Sequence, residues 1–575
     1  MPFRKAPSTL LIATALTIAA CSPTADQTTT HEDANPVVEQ TTSKAAIAMP
    51  DRYSAQVSED ILRAGGNAVD AAVAAGFALA VTYPEAGNIG GGGFMLIHMD
   101  GTEAFLDYRE KAPLAAHRDM YLDENGDVID QASLIGGQAV AVPGTVAGFW
   151  AAHRRYGLLP WQDLVTPAVR LAADGFYPPE VLVDDVRDNY DWFRDRTNFK
   201  EHFGHISNDE LFRQPDLAAT LGRIAELGQD DFYRGDTAMM LVDQMDRSNG
   251  LITMEDLKSY EIVWREPLRS SWRDYEIVSA PPPSSGGFAV IQLLKMKDYL
   301  AHHFDGLPHN SQQYIHLVAE MEKRVFADRA EYMGDPDFVD VDIDALLDEE
   351  YIAGRAAEVD PDNISQLDAV QPGLESPDTT HFSIMDQWGN TVSNTNTINW
   401  EFGSGVVVEG AGFLLNNEMD DFSAKPGVPN IYGVVGNTAN EIQPGKRPLS
   451  SMSPTILLRN SQVELIIGTP GGSTIFTSVF QITVNIHDFG MTIEDAVGVT
   501  RFHHQLLPAD LITYSPKVPL PPEIISALRD RGYRAEPHFF SFGDLQVILR
   551  NGDDLQAASD PRRRGESRIL QILDD

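Results

Sequence analysis

Asp378-Thr-Thr-His-Phe-Ser-Ile-Met385, with the Asp386-Gln-Trp-Gly-Asn390 and Thr391-Val-Ser-Asn-Thr-Asn-Thr-Ile-Asn-Trp400 that follow it, is the stretch on which the fold depends. Thr380, Phe382 and Ile384 alternate with His381, Ser383 and Met385, and a second alternating run follows a Gly-containing turn. That is the period-two pattern of a β-hairpin. In the second strand, read as Thr391 to Trp400, Thr395, Thr397 and Asn399 fall on one face. Upstream the chain reads as helical and loop-rich. Ala55 to Ala64 ends at Gly65-Gly66, and Ala68 to Ala80 ends near Tyr83-Pro84. Thr166-Pro167 opens a short helix that Gly175 closes, with Pro at its first position. Downstream, Val463 to Gly468 reads as a strand running into Thr469-Pro-Gly-Gly-Ser473. The expected class is α/β (α+β).

Composition bounds the possibilities further. The chain has 575 residues, 43% of them apolar and 22% charged, enough to bury a large core. Its 43 Lys and Arg against 84 Asp and Glu give a formal charge of −41, which argues against nucleic-acid binding, since phosphates would be repelled by most of the surface. The single cysteine, Cys21, excludes an intrachain disulfide framework and cysteine-based zinc sites. It closes a segment with Arg4 and Lys5 at its start, an apolar run from Thr9 to Ile18, and Ala19-Ala20 before it. This is an export signal, and Ile18-Ala-Ala-Cys21 resembles a bacterial lipobox. Residues 1–20 are therefore expected to be a lipoprotein signal peptide. Cys21 is the expected lipidation point, and Ser22 after it implies outer-membrane sorting. The polar, Thr-rich residues 21–45 read as a flexible tether. The expected location is the periplasm or cell envelope of a bacterium, with the membrane reached by the lipid alone.

Other signals are weaker. Asp340, Asp342 and Asp344 have calcium-loop spacing, but Ala345 stands where glycine is needed and Tyr351 where glutamate is. His503-His504 would point to opposite faces of a strand. Gly90 to Gly93 completes no nucleotide-binding pattern, and no GxSxG is present. No metal and no cofactor are expected.

Several segments closely resemble the γ-glutamyltransferase family. They are Asp378 to Ser383, Asn416-Asn-Glu-Met-Asp-Asp-Phe422, Pro444-Gly-Lys-Arg-Pro-Leu-Ser-Ser-Met-Ser-Pro454 and Pro470-Gly-Gly-Ser473. Gly65 to Asp70, Gly87 to Phe94, Asp107-Tyr-Arg-Glu110, Pro143 to Gly148 and Pro281-Pro-Pro-Ser-Ser-Gly-Gly287 extend the resemblance through the first half, in family order. It implies an N-terminal-nucleophile hydrolase: a four-layer αββα sandwich, made as a precursor that cuts itself between Asp378 and Thr379. A large subunit, 46–378, and a small catalytic one, 379–575, would then form a heterodimer.

The implied chemistry is γ-glutamyl transfer and hydrolysis of glutathione and related amides. A threonine hydroxyl is a poor nucleophile without a base, and a newly exposed Thr379 carries one in its own α-amine, with an ordinary pKa of about 7.7–8.0. By the resemblance, Thr397 supports the nucleophile, and Gly471 and Gly472 supply oxyanion donors. Arg109, Ser450 and Ser451 take the donor's α-carboxylate, Glu418 and Asp421 its ammonium, and Asn399 also binds substrate. Tyr432 would reach Asn399 from a lid loop. Amino acids, dipeptides or water would accept the glutamyl group. Two alternatives remain: an acylase of the same fold acting on β-lactam side-chain amides, and an uncleaved lipoprotein that binds γ-glutamyl peptides without turnover.

Overall fold

The computed structural model describes residues 42–365, 379–425, 438–506, 508–538 and 543–573. Cys21, Asp378 and Tyr432, the signal segment and all of the tether up to residue 41 lie outside the described residues. The strands are β1 (Thr42–Met49), β2 (Gly92–Met99), β3 (Thr102–Asp107), β4 (Val263–Arg265), β5 (Leu268–Trp272), β6 (Tyr275–Ser279), β7 (Thr379–Met385) and β8 (Thr391–Thr397). They continue with β9 (Thr455–Arg459), β10 (Gln462–Gly468), β11 (Phe502–His503), β12 (Leu511–Tyr514), β13 (Arg534–Pro537), β14 (Gln546–Asn551), β15 (Asp554–Ser559) and β16 (Glu566–Leu573).

The expected hairpin sits in the middle of a seven-stranded sheet ordered β16-β1-β7-β8-β2-β3-β4. Its turn is closed by Asp386, whose Oδ1 accepts the backbone N–H groups of Trp388 and Asn390 at 3.0 and 2.9 Å. A second sheet, β15-β14-β10-β9-β6-β5, packs face to face on the first. Apolar side chains fill the gap: Ala46, Phe94, Leu96 and Phe105 from one sheet, Val278, Ile456, Ile466 and Ile548 from the other. Helices cover both outer faces. Ala68–Thr82, buried all round, belongs to the core outside the first sheet. Gly286–Tyr299, Gln312–Tyr332 and Thr474–His487 pack outside the second. The order helix, sheet, sheet, helix is the expected four-layer αββα sandwich.

Three local expectations need correction. The tether is expected to run to residue 45, yet β1 begins at Thr42 and pairs with β16 from Thr42↔Leu573 onward. Ser43 and Lys44 look like linker in sequence because their backbone partners lie more than 500 positions away. The helix expected from Thr166-Pro167 begins instead at Trp161 and carries Pro167 in its interior. An interior proline costs about 3 kcal/mol, but Trp161, Leu164, Val165, Ala168 and Ala172 form one buried face across it, and that burial keeps the helix continuous. Finally, β8 stops at Thr397 rather than Trp400.

Candidate active site

β7 and β8 pair with Thr379 directly opposite Thr397, and β2 places Gly92 on the other side of Thr397. The glycine run that failed as a nucleotide motif is needed for this crossing, since a Cβ on Gly91 would lie 2.0 Å from the carbonyl oxygen of Thr397. Immediately after Thr397 the chain turns. Asn399 takes φ +73°, its N–H donates to Thr397 Oγ1 at 2.7 Å, and its Nδ2 donates to the Asn417 carbonyl at 3.0 Å. Asn399 therefore does line the cavity with Thr379 and Thr397, but through a left-handed turn held by two hydrogen bonds rather than by strand alternation.

The Gly471 N–H donates to Thr379 Oγ1 at 3.3 Å. Gly471 and Gly472 have φ of +137° and +54°, so both stand where a side chain would strain the backbone. Thr474 Oγ1 donates to the Gly471 carbonyl at 2.7 Å and fixes the loop from behind. The helix Thr474–His487 starts at that point, so its positive end adds to the N–H donors beside the Thr379 hydroxyl. The arrangement suits charge developing on an oxygen bonded next to Thr379 Oγ1.

The same cavity is lined by Arg109, Glu418, Asp421, Ser450 and Ser451. Arg109 is 1% exposed. Its Nε donates to the Pro448 carbonyl and one Nη to the Leu449 carbonyl, both at 3.3 Å, while its two Nη groups pair with Glu418 and Asp421. Asp107, two residues earlier, accepts the Arg109 N–H at 2.9 Å and is itself held by Arg265 at 2.7 Å and Arg447 at 3.3 Å. That ion cluster ties Asp107-Tyr-Arg-Glu110 to the segment containing Ser450. Burial pushes the Glu418 and Asp421 carboxyls up, with the Arg109 charge working against it, and the two acids hold Arg109 firmly protonated. Glu110 lies 3.6 Å from Arg109, hydrogen-bonds through neither oxygen, and is pushed by burial to about 7.

Every expected site residue within the described chain thus lies at this one cavity, Gly471 through its contact with Thr379. Two were missed. Arg329, on the helix Gln312–Tyr332, lines the cavity and donates through Nε to Ser285 Oγ at 3.0 Å. Ser285 in turn donates its N–H and hydroxyl to the Ser450 carbonyl at 2.8 and 2.9 Å, and Ser284 Oγ donates to the Met452 carbonyl at 2.6 Å. The Pro281-Pro-Pro-Ser-Ser285 segment was the available signal for the serines, whereas Arg329 had none. His503 and His504, by contrast, are buried and hydrogen-bonded, to Thr477 and to the Leu511 carbonyl respectively. Among the described residues no group of three or more His, Cys, Asp or Glu is placed to hold a metal ion.

Comparison with known proteins places the chain in a family. The family model for gamma-glutamyltranspeptidase matches residues 54–570. The glutathione hydrolase proenzyme of Pseudomonas aeruginosa is 56% identical over 526 residues, 92% of this chain and 94% of that one. Among solved structures, a gamma-glutamyltranspeptidase from Pseudomonas nitroreducens is 53% identical, with a TM-score of 0.55 over 55% of this chain and 95% of that one. A cephalosporin acylase from Bacillus halodurans has a TM-score of 0.79 at 26% identity, covering 94% of this chain and 98% of that one. Matched in this way over most of its length, the chain belongs to the gamma-glutamyltranspeptidase family.

Proposed function

We propose that the protein hydrolyses and transfers the γ-glutamyl group of glutathione and related γ-glutamyl amides, with Thr379 as nucleophile. One observation carries this reading: the Thr379 hydroxyl meets the Gly471 N–H at a cavity that is also lined by Arg109 with Glu418 and Asp421. A γ-glutamyl donor has a scissile amide at one end and a zwitterionic amino acid at the other, and the cavity offers complementary groups to both. The acid pair also distinguishes donors, because a glutaryl-type β-lactam side chain has no ammonium for it to hold.

In the reaction, the precursor is first cut between Asp378 and Thr379, freeing the Thr379 amine. That amine takes the hydroxyl proton as Oγ1 attacks the γ-carbonyl carbon. The resulting oxyanion is held by the N–H groups of Gly471 and Gly472. Collapse breaks the C–N bond, and the departing amine, cysteinylglycine when glutathione is the donor, takes the proton. Water or the amine of an amino acid or dipeptide then attacks the γ-glutamyl ester and releases Thr379. Thr397 holds the turn at Asn399, while Ser450 and Ser451 donate to the donor's carboxylate beside Arg109.

The mature enzyme is a heterodimer of 46–378 and 379–575. The match to 95% of the Pseudomonas nitroreducens chain with only 55% of this one supports two separate chains. Residues 1–20 direct export, and Cys21 carries the lipid that holds the enzyme in the bacterial envelope. No helix among the described residues is long and apolar enough to cross a membrane. Denaturing electrophoresis and N-terminal sequencing test the central claim. Purified protein should give a fragment that begins at Thr379, and Thr379→Ala should leave one uncut, inactive chain. A wild-type chain that stays whole yet turns over γ-glutamyl anilide would refute it.

A further inference from the structure

The pocket offers two carboxylates, Glu418 and Asp421, to a donor that brings one ammonium. Without a donor, Arg109 pairs with both. Once the donor's α-carboxylate takes Arg109, the ammonium stands in for the one unit of charge Arg109 supplied, and one buried carboxylate stays in surplus in both states. A buried surplus anion is expensive, and the group would take up a proton instead. Glu110 adds a further negative charge as it ionises through about pH 7, and the Asp107, Arg265 and Arg447 cluster is occupied with itself.

We propose that Arg329 is a positioning residue for donor recognition, the resident counter-charge that keeps Asp421 ionised while Arg109 is committed to the donor's carboxylate. It is 5% exposed and lines the same cavity as Asp421, and its guanidinium is braced by Ser285, which also holds the Ser450 carbonyl. The charged groups facing Asp421 are Arg109 and Glu110 from the segment after β3, Glu418 from its own turn, and Arg329 from the helix Gln312–Tyr332. The two arginines hold its carboxyl down against the effect of burial. With Arg329 the cavity wall holds a second guanidinium, so that Arg109, Arg329 and the ammonium face Glu418, Asp421 and the α-carboxylate, with Glu110 adding an anion as it ionises. Arg329 thereby connects the half of the pocket that binds the ammonium to the serines that bind the carboxylate.

This proposal rests on the γ-glutamyl reading above, and the test separates the two. Arg329→Gln and Arg329→Lys would be compared with wild type on γ-glutamyl anilide and on glutaryl anilide, which lacks the ammonium, between pH 6 and 9. Without the guanidinium, Asp421 ionises only at higher pH. In Arg329→Gln the KM for γ-glutamyl anilide should therefore rise about 10- to 100-fold near pH 7 and recover toward pH 9. The preference for γ-glutamyl over glutaryl substrate should fall in the same measure, and Arg329→Lys should restore most of it. A purely structural role would depress both substrates together at every pH, and that result overturns the proposal, as does an unchanged KM profile. If the γ-glutamyl reading itself were wrong, wild type would already fail to prefer γ-glutamyl over glutaryl anilide.

Discussion

Replacing Gly471 by alanine tests the oxyanion arrangement through a single methyl group. A Cβ at this position would lie 2.4 Å from Thr474 Oγ1, too close for any real contact, and that hydroxyl is pinned by its 2.7 Å bond to the Gly471 carbonyl. The φ of +137° is also one that alanine rarely adopts, a strain of about 1–3 kcal/mol. Both effects push the loop away, and the N–H now 3.3 Å from Thr379 Oγ1 moves with it. Loss of one oxyanion donor costs roughly 3–4 kcal/mol of transition-state stabilisation, so kcat on γ-glutamyl anilide should drop about 10²- to 10³-fold, with KM changed far less. The rate would be expressed per mole of cleaved small subunit, so that slower self-cleavage does not enter it. The steric route has its own check. Thr474 Cβ is 3.7 Å from where the new methyl would stand, an ordinary contact, so adding Thr474→Ala to Gly471→Ala should recover part of the loss. Full kcat in Gly471→Ala would refute the assigned role of the loop; a loss that Thr474→Ala leaves untouched would refute the steric argument.

Thr397→Val should lower kcat/KM about 5- to 100-fold, since the buried Asn399 N–H loses its 2.7 Å acceptor, whereas Thr397→Ser should stay within a few-fold; equal behaviour of the two variants in steady-state assays would contradict it. Glu110 concerns stability. Burial raises its folded value to about 7, above that of the unfolded chain, so the folded state favours its protonated form; the associated stability is fully present below the ordinary glutamate value and is lost as pH rises through about 7. Glu110→Gln removes this dependence, and its melting temperature relative to wild type should climb between pH 5 and 8. A constant difference across that range would count against the assignment.

What the sequence disclosed, and what it withheld, follows from the range of the interactions involved. The β7–β8 hairpin is local, and its alternation and turn were readable. The αββα layering came from motif resemblance, because no local pattern says that β10 will lie under β7. Asn399 was placed correctly for an incorrect reason: strand alternation cannot foresee that the chain leaves the sheet at Thr397 and turns through a positive φ. Arg109 was expected to await a carboxylate, but it is already paired with the two acids assigned to the ammonium, a juxtaposition of residues 309 and 312 positions apart. Arg329 gave no signal as a site residue because nothing in a helix of mixed charges marks the one that reaches a cavity.

The polar residues of β7 and β8 raise a further question, because both strands are almost wholly buried. His381, Ser383, Ser393 and Thr395 lie opposite one another in pairs on one face of the hairpin. In the fold that face meets the second sheet, where each hydroxyl or ring finds a partner. His381 joins Thr395 at 2.8 Å and Ser383 at 3.2 Å, while Ser383 and Ser393 donate across the gap to the carbonyls of Gln546 and Ile467 at 3.0 and 3.3 Å. Burial holds the His381 ring neutral, with its pKa pushed down to about 3. Its ring also fills the space beside Gly468, where a Cβ would stand 2.2 Å away. Gly468 ends β10 and leads directly into the loop of Gly471. An apolar interface could slide by a residue pair at modest cost, but sliding here would strand several buried hydrogen-bonding groups, each at about 1–3 kcal/mol. The polar seam therefore fixes the position of β10 along β7. With it, the seam fixes the distance between the Thr379 hydroxyl and the Gly471 N–H proposed to hold the oxyanion formed beside that hydroxyl.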